Sequence, residues 1–234
     1  EAFECSASLS IYHRVNITYT IKFRKLDEMI KMTDDVVHFV REKNLLHVLI
    51  ILYSYRTLAF TLQSRFSDAR ANLKEAEKIA KSLKIITSIN IYYIVKCYFE
   101  IAEFIKNPGK GKDAAKVLKT SGKLIKLAQK VRKNLPEAYR LRATIFWLKN
   151  KPGKALRNFE KSIKAGLSYD CNLELSRTWF EAGKFLQDPS NKKTRVNGLN
   201  AGECLMKAKS MFEEMHLEWD LKQYDQYMKG KRSY

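Results

Sequence analysis

The residues of this chain that could do chemistry are few and scattered. The four histidines, His13, His38, His47 and His216, have no histidine four positions away and no HExxH context, so a zinc-hydrolase helix is not encoded. The four cysteines, Cys5, Cys97, Cys171 and Cys204, are widely spaced and form no Cys-x-x-Cys pair, which excludes a zinc finger and suits a reduced, intracellular compartment. Gly109-Lys110-Gly111-Lys112 imitates a phosphate-binding loop, but no Ser or Thr follows Lys112 and a helix rather than a strand precedes it, so it reads as a connecting turn. Asp34-Asp35 and Glu213-Glu214 are adjacent acids on helices. Neighbouring helical residues point apart, so neither pair can divide acid and base roles. With no nucleophile motif and no aspartate pair for a metal, no catalytic, cofactor-binding or metal-ligating residue is expected, and no cofactor.

One constellation rises above this background. Lys116, Lys119, Lys123, Lys126, Lys130 and Lys133 fall on one stripe of a helix expected over 112–133, because helical positions advance by about 100° per residue. Val117, Leu118, Ser121, Leu124, Ile125, Ala128 and Val131 form the opposite stripe. Between Lys106 and Lys133 stand ten basic residues and one acid, Asp113, in a chain whose formal net charge is +19. A positive ridge of this kind suits an acidic protein segment, an anionic lipid surface or nucleic acid. Nucleic acid fits it least, since the ridge carries no interleaved aromatics for base stacking and few Arg forks for base edges. A plain solvated face, with lysine stems lying over apolar neighbours, would produce the same pattern.

The elements that must position these residues are helices. Apolar residues make up 45% of the chain and aromatics 12%, while nine Gly and four Pro leave little material for a turn-rich β protein. A short pattern occurs four times: Ala, an apolar residue four on, and a small residue three further on. The copies are Ala69-Leu73-Ala76, Ala114-Leu118-Ser121, Ala155-Phe159-Ser162 and Ala201-Leu205-Ala208, with starts 45, 41 and 46 residues apart. A period of that size marks stacked helical repeats. The small residues let two helix axes approach, and the large one between them fills the partner's groove.

The fold expected is therefore all-α, a right-handed superhelical stack of antiparallel helix pairs. Residues 1–44 hold an N-terminal pair, about 5–22 and 25–42, whose β-branched run from Val15 to Ile21 could also be a strand. Four pairs follow over 45–83, 87–133, 136–166 and 171–216, with Ser67 as an N-cap, Pro136 at a first helical position and Lys151-Pro152-Gly153 as a turn. A polar loop from Asp188 to Thr194 lengthens the fourth pair, and a capping helix lies in 217–234. The apolar run Leu45 to Leu62 contains His47 and Arg56, so it reads as a buried repeat helix, and no membrane span is expected. Tyr92, Tyr93, Tyr98 and Phe99 are core residues or the lining of a peptide groove.

On these residues the chain resembles a tetratricopeptide-repeat array. Tyr139, Ala143, Phe146, Ala155, Phe159 and Ser162 stand at that family's spacing of aromatic and small residues, as do Leu175, Ser176, Trp179 and Gly183, and Tyr53, Phe60, Ala69, Leu73 and Ala76. Arg142 stands where that family has Leu, and the period exceeds the roughly 34 residues usual for it. Leu173 to Leu186, Ala208 to Met215 and Glu218-Trp219-Asp220-Leu221 are similar to the terminal repeats of soluble, bicarbonate-responsive adenylyl cyclases and related signalling ATPases. That resemblance implies a cytoplasmic regulatory tail, a piece of a longer protein, with cAMP synthesis carried by domains outside this sequence. The function expected is non-catalytic protein binding, with an acidic segment or upstream domains as partner. The alternative is a basic adaptor for RNA or anionic membrane.

Overall fold

The computed structural model describes residues 15–107 and 111–230, with residues 111–114 described in backbone only. These residues are all-helical, with no strand among them. In chain order they form α1 (residues 15–22), α2 (Leu26–Glu42), α3 (Leu46–Leu62), α4 (Phe66–Ala80), α5 (Ile86–Lys106), α6 (Gly111–Ala128), a 3-10 turn (Arg132–Asn134), α7 (Leu135–Leu148), α8 (Pro152–Ser168), α9 (Asn172–Gln187), α10 (Ala201–Glu214) and α11 (Glu218–Met228). The β-branched run of α1 is helical, with Ile17, Thr20 and Ile21 buried.

The chain divides into two compact units, one ending at Phe99 and the other beginning at Glu100, so the division falls inside α5. In the first unit α3 is the centre. It packs on α2 and α4, and nearly every side chain from Val48 to Thr61 is buried. A helix that is apolar all round needs neighbours on every side. Its one cation, Arg56, is accommodated at the edge: the guanidinium donates to Asp34 and, at 3.0 Å, to Asn72 Oδ1. No helix among the described residues is long and apolar enough to cross a membrane.

In the second unit α7 packs on α8, α9 on α10, and α8 and α9 on each other. The small-residue pattern lies at these contacts. Ala155, Phe159 and Ser162 of α8 are fully buried, and the Ser162 hydroxyl donates to the Pro136 carbonyl of α7 at 2.6 Å. Gly183 of α9 lets Leu205 of α10 approach so closely that a Cβ there would lie 2.7 Å from Leu205 Cγ. In the first unit Ala69, Leu73 and Ala76 are likewise buried on α4. In the remaining copies Ser121, Leu205 and Ala208 are buried, Leu118 and Ala201 are half-buried, and the side chain of Ala114 lies outside the described residues.

Six helix junctions close in the same way. Arg24, Asn44, Ser64, Asn150, Asp170 and His216 take left-handed backbone conformations, with φ between 51° and 60°. The next amide in each case reaches back five residues, as Leu45 N does to the Val40 carbonyl at 3.1 Å and Leu217 N to the Phe212 carbonyl at 2.9 Å. This is the Schellman arrangement, which satisfies the last carbonyls of one helix while the next starts within a few residues. Ser67 is not the cap of α4. The cap position is Arg65 without a side-chain bond, and Ser67 lies exposed inside the first turn.

Candidate functional site: two basic helix faces

The lysine ridge divides when its helix ends. Lys116, Lys119, Lys123 and Lys126 lie exposed on one stripe of α6, opposite the buried Val117, Ser121, Leu124 and Ala128. Lys130 and Lys133 are exposed but off the helix: Lys130 sits in the turn after Ala128, and Lys133 in the 3-10 turn. The expected helix over 112–133 is therefore too long. Pro136 has no N–H to donate to the Arg132 carbonyl, so a helix continued through it would leave that carbonyl unsatisfied. The chain instead tightens into the 3-10 turn and restarts with Pro136 in the first turn of α7.

A second basic face, missed in the sequence, lies on α8. Lys154, Arg157, Lys161 and Lys164 are exposed at steps of three, four and three, opposite the buried Ala155, Phe159, Ser162 and Ile163. The α6 and α8 helices both pack on α7 and both touch the 3-10 turn, so the two rows flank α7. The α8 row leans towards it: the Lys161 ammonium lies 5.8 Å from the Tyr139 ring centre and the Lys154 ammonium 5.7 Å from that of Phe146. From α6, Gly122 faces Arg142 of α7, whose guanidinium also lies over the Phe146 ring at 5.5 Å. Arg142 thus places one more cation between the rows. Lys116 lies 3.6 Å from the buried Glu100.

Charge is also buried in this unit, and here it is structural. Arg140 of α7 donates to Glu174 of α9 at 2.7 Å, and Arg177 of α9 donates to Asp220 of α11 at 2.9 and 2.7 Å. Glu137 and Arg140, and Glu174 and Arg177, are i,i+3 pairs within their helices at 3.7 and 3.8 Å. All five side chains are buried, so the ladder ties α7, α9 and α11 together rather than meeting solvent. Its signal in the sequence is Glu-x-x-Arg occurring twice, 37 residues apart. The loop that lengthens the fourth pair is pinned as well, by the Trp147 indole N–H donating to Asp188 at 2.6 Å.

Other candidates offer less. Among the described residues no three His, Cys, Asp or Glu side chains gather as metal ligands. Of the aromatic set on α5, Tyr92 and Phe99 are buried in the core, and Tyr93 and Tyr98 are half-buried against it. An open hollow of about 540 Å³ in the first unit is lined by His38, Arg41, Tyr53 and Arg56 among others. Its guanidiniums are already engaged, Arg41 with the Tyr53 hydroxyl and Arg56 with Asp34 and Asn72. The two rows on α6 and α8 together display eight exposed cations on helices that flank α7. Compared with known proteins, the chain matches no family model and no curated sequence.

Proposed function

We propose that this chain is a non-catalytic regulatory module of stacked, tetratricopeptide-like helix pairs that binds an acidic protein segment along the outer faces of α6 and α8. On the resemblance of Leu173–Leu186 and the segments after it, the module serves as the C-terminal repeat region of a soluble adenylyl cyclase-like signalling enzyme, in the cytoplasm, with cAMP synthesis in other domains. The observation that carries the binding reading is the pair of exposed rows: eight cations on two helices that flank α7. Like charges held side by side repel, and an acidic partner relieves that repulsion while gaining steered association. Seven of the eight cations are lysines, and the aromatics of α7 beside them, Tyr139 and Phe146, are half-buried or buried, so the rows offer phosphates charge but bases little to stack on, which favours carboxylates over nucleic acid.

The experiment measures binding of a poly-glutamate peptide and of a homopolymeric RNA to the chain and to two charge-reversed variants, K119E/K123E and K161E/K164E. Binding of the peptide that falls at least tenfold in each variant supports the reading, since each reversal opposes about two favourable contacts of near 1 kcal/mol. RNA binding with a steep salt slope and no peptide binding would sink it. The enzyme assignment is tested separately, by adding the chain to adenylyl cyclase catalytic domains and measuring cAMP formation. No change in rate and no association would reject that part.

A further inference from the structure

The connection between α4 and α5, like that between α6 and α7, lacks the turn that closes most of the short junctions among the described residues. Six of those junctions turn on one left-handed residue, and their tips carry Arg24, Asn44, Ser64, Asn150, Asp170 or His216. The connection of residues 81–85 has no such residue, and at its end Ile85 and Ile86 stand side by side at 44% and 36% exposure. Turns favour polar residues because their backbone faces water, so two adjacent, partly exposed isoleucines at a tip are a local departure. Folding is served by their neighbours: Leu83 packs against the core, and the Ser88 hydroxyl donates to the His47 carbonyl at 3.1 Å.

The surroundings of the tip are basic. Lys81 and Lys84 precede the isoleucines and are exposed, and Arg70, Lys74 and Lys78 continue the row back along α4. The acids of α4 are each held by a cation: Asp68 by Arg65, Glu75 by Lys78 and Glu77 by Lys96, all at 2.7 Å. An aliphatic point at the end of a row of exposed cations matches a surface that is anionic outside and apolar beneath.

We infer that the α4–α5 tip is a peripheral contact for an anionic lipid bilayer, with Ile85 and Ile86 entering the acyl boundary and Lys81, Lys84 and the α4 row meeting the headgroups. Such a contact needs no membrane-spanning helix and joins two weak signals, one apolar and one electrostatic. Nucleic acid is the poorer fit, because isoleucine offers no ring for a base. The site lies in the first unit and does not rest on the α6–α8 reading.

The test is co-sedimentation of the full chain with vesicles of phosphatidylcholine alone or mixed with phosphatidylserine, at low and high salt. The expected result is binding to the mixed vesicles that weakens with salt and drops about tenfold in the Ile85→Ser/Ile86→Ser variant, the loss of two half-buried isoleucines. Circular dichroism confirms that this variant is folded, and its poly-glutamate binding should be unchanged. The Lys81→Glu/Lys84→Glu variant should lose the binding as well. Binding indifferent to the isoleucines, binding lost only on reversing the α6 and α8 rows, or no binding to either vesicle would overturn the inference.

Discussion

The Arg177 guanidinium forks onto the Asp220 carboxylate, Nε to Oδ1 at 2.9 Å and the second nitrogen to Oδ2 at 2.7 Å, with both side chains buried. Two parallel bonds in a dry site fix the register of α11 on α9 as a single bond could not. Removing one partner leaves the other charge buried and uncompensated. Asp220→Ala should therefore cost about 3–5 kcal/mol and lower the thermal midpoint by roughly 10 °C. Replacing both partners, as in R177M/D220L, should cost far less, because no charge is then stranded. A circular-dichroism melt of the three proteins checks this, and equal losses in the single and double variants would contradict it.

Gly183 is the closest approach of α9 to α10. A methyl group there would press on Leu205 at 2.7 and 2.8 Å and sit 3.2 Å from the Ala201 carbonyl. Gly183→Ala should destabilise the fold by about 1–3 kcal/mol through overpacking. Gly153 in the first turn of α8 is the control: a Cβ there meets nothing within 4 Å. Gly153→Ala should be neutral or stabilising by up to about 1 kcal/mol, since alanine is the better helix former. Urea denaturation of the two variants gives opposite shifts of midpoint if the packing is as described.

These two contacts also show what a sequence can and cannot disclose. Ala155, Phe159 and Ser162 announce their burial because small and large residues at helical spacing have few other uses. Asp220 announces nothing: it stands 43 residues from Arg177, outside either Glu-x-x-Arg copy, and reads as a surface charge until the fold brings α9 and α11 together. Lys130 and Lys133 fail for the opposite reason. The lysine spacing runs on past Ala128, but the backbone does not, and a periodic pattern cannot report where its helix stops. The α8 row stayed hidden because it is shorter than the α6 run and Glu160 interrupts it, while the helix geometry sorts Lys154, Arg157, Lys161 and Lys164 onto one side. Arg56 is intermediate. Its presence in an apolar run argued against a membrane, but its partners Asp34 and Asn72 come from two other helices.

A titrating tie joins α4 to α5. The Lys96 ammonium donates to Glu77 at 2.7 Å and to the buried Tyr92 hydroxyl at 3.0 Å. The bond from Lys96 holds the Glu77 carboxyl below its usual range. Burial alone would lower the Lys96 ammonium, but its bonds to Glu77 and Tyr92 more than reverse that and hold it above the usual lysine range. Burial pushes the Tyr92 hydroxyl up to about 12. A lowered carboxyl stabilises the fold above the ordinary carboxylate range and loses that effect as pH falls through it, whereas raised groups stabilise below about pH 10 and lose it as pH rises further. Lys96→Met should flatten the fall of the thermal midpoint between roughly pH 5 and pH 3, and also the fall above about pH 10. Melts across both limbs read it; limbs as steep as in the unaltered chain would remove Lys96 from the account.

Cys204 tests the α9–α10 packing from the chemical side. It is fully buried on α10, and burial first, with the neighbouring Glu203 charge second, pushes its thiol up to about 12. The thiolate is the reactive form, so at about pH 8 the folded chain presents almost none at this position. Cys171 is half-buried at the start of α9, its sulfur donating to the Tyr169 carbonyl at 3.3 Å, and solvent reaches it. Iodoacetamide at that pH, followed by peptide mass mapping, should modify Cys171 well before Cys204, and unfolding in urea should erase the difference. Because Cys204 lies three residues from Ala201, whose carbonyl a methyl at position 183 would crowd, Gly183→Ala should raise its labelling rate before it raises that of Cys171. Equal labelling of the two cysteines in the unaltered, folded chain would mean that α10 opens from α9 far more readily than its buried face allows.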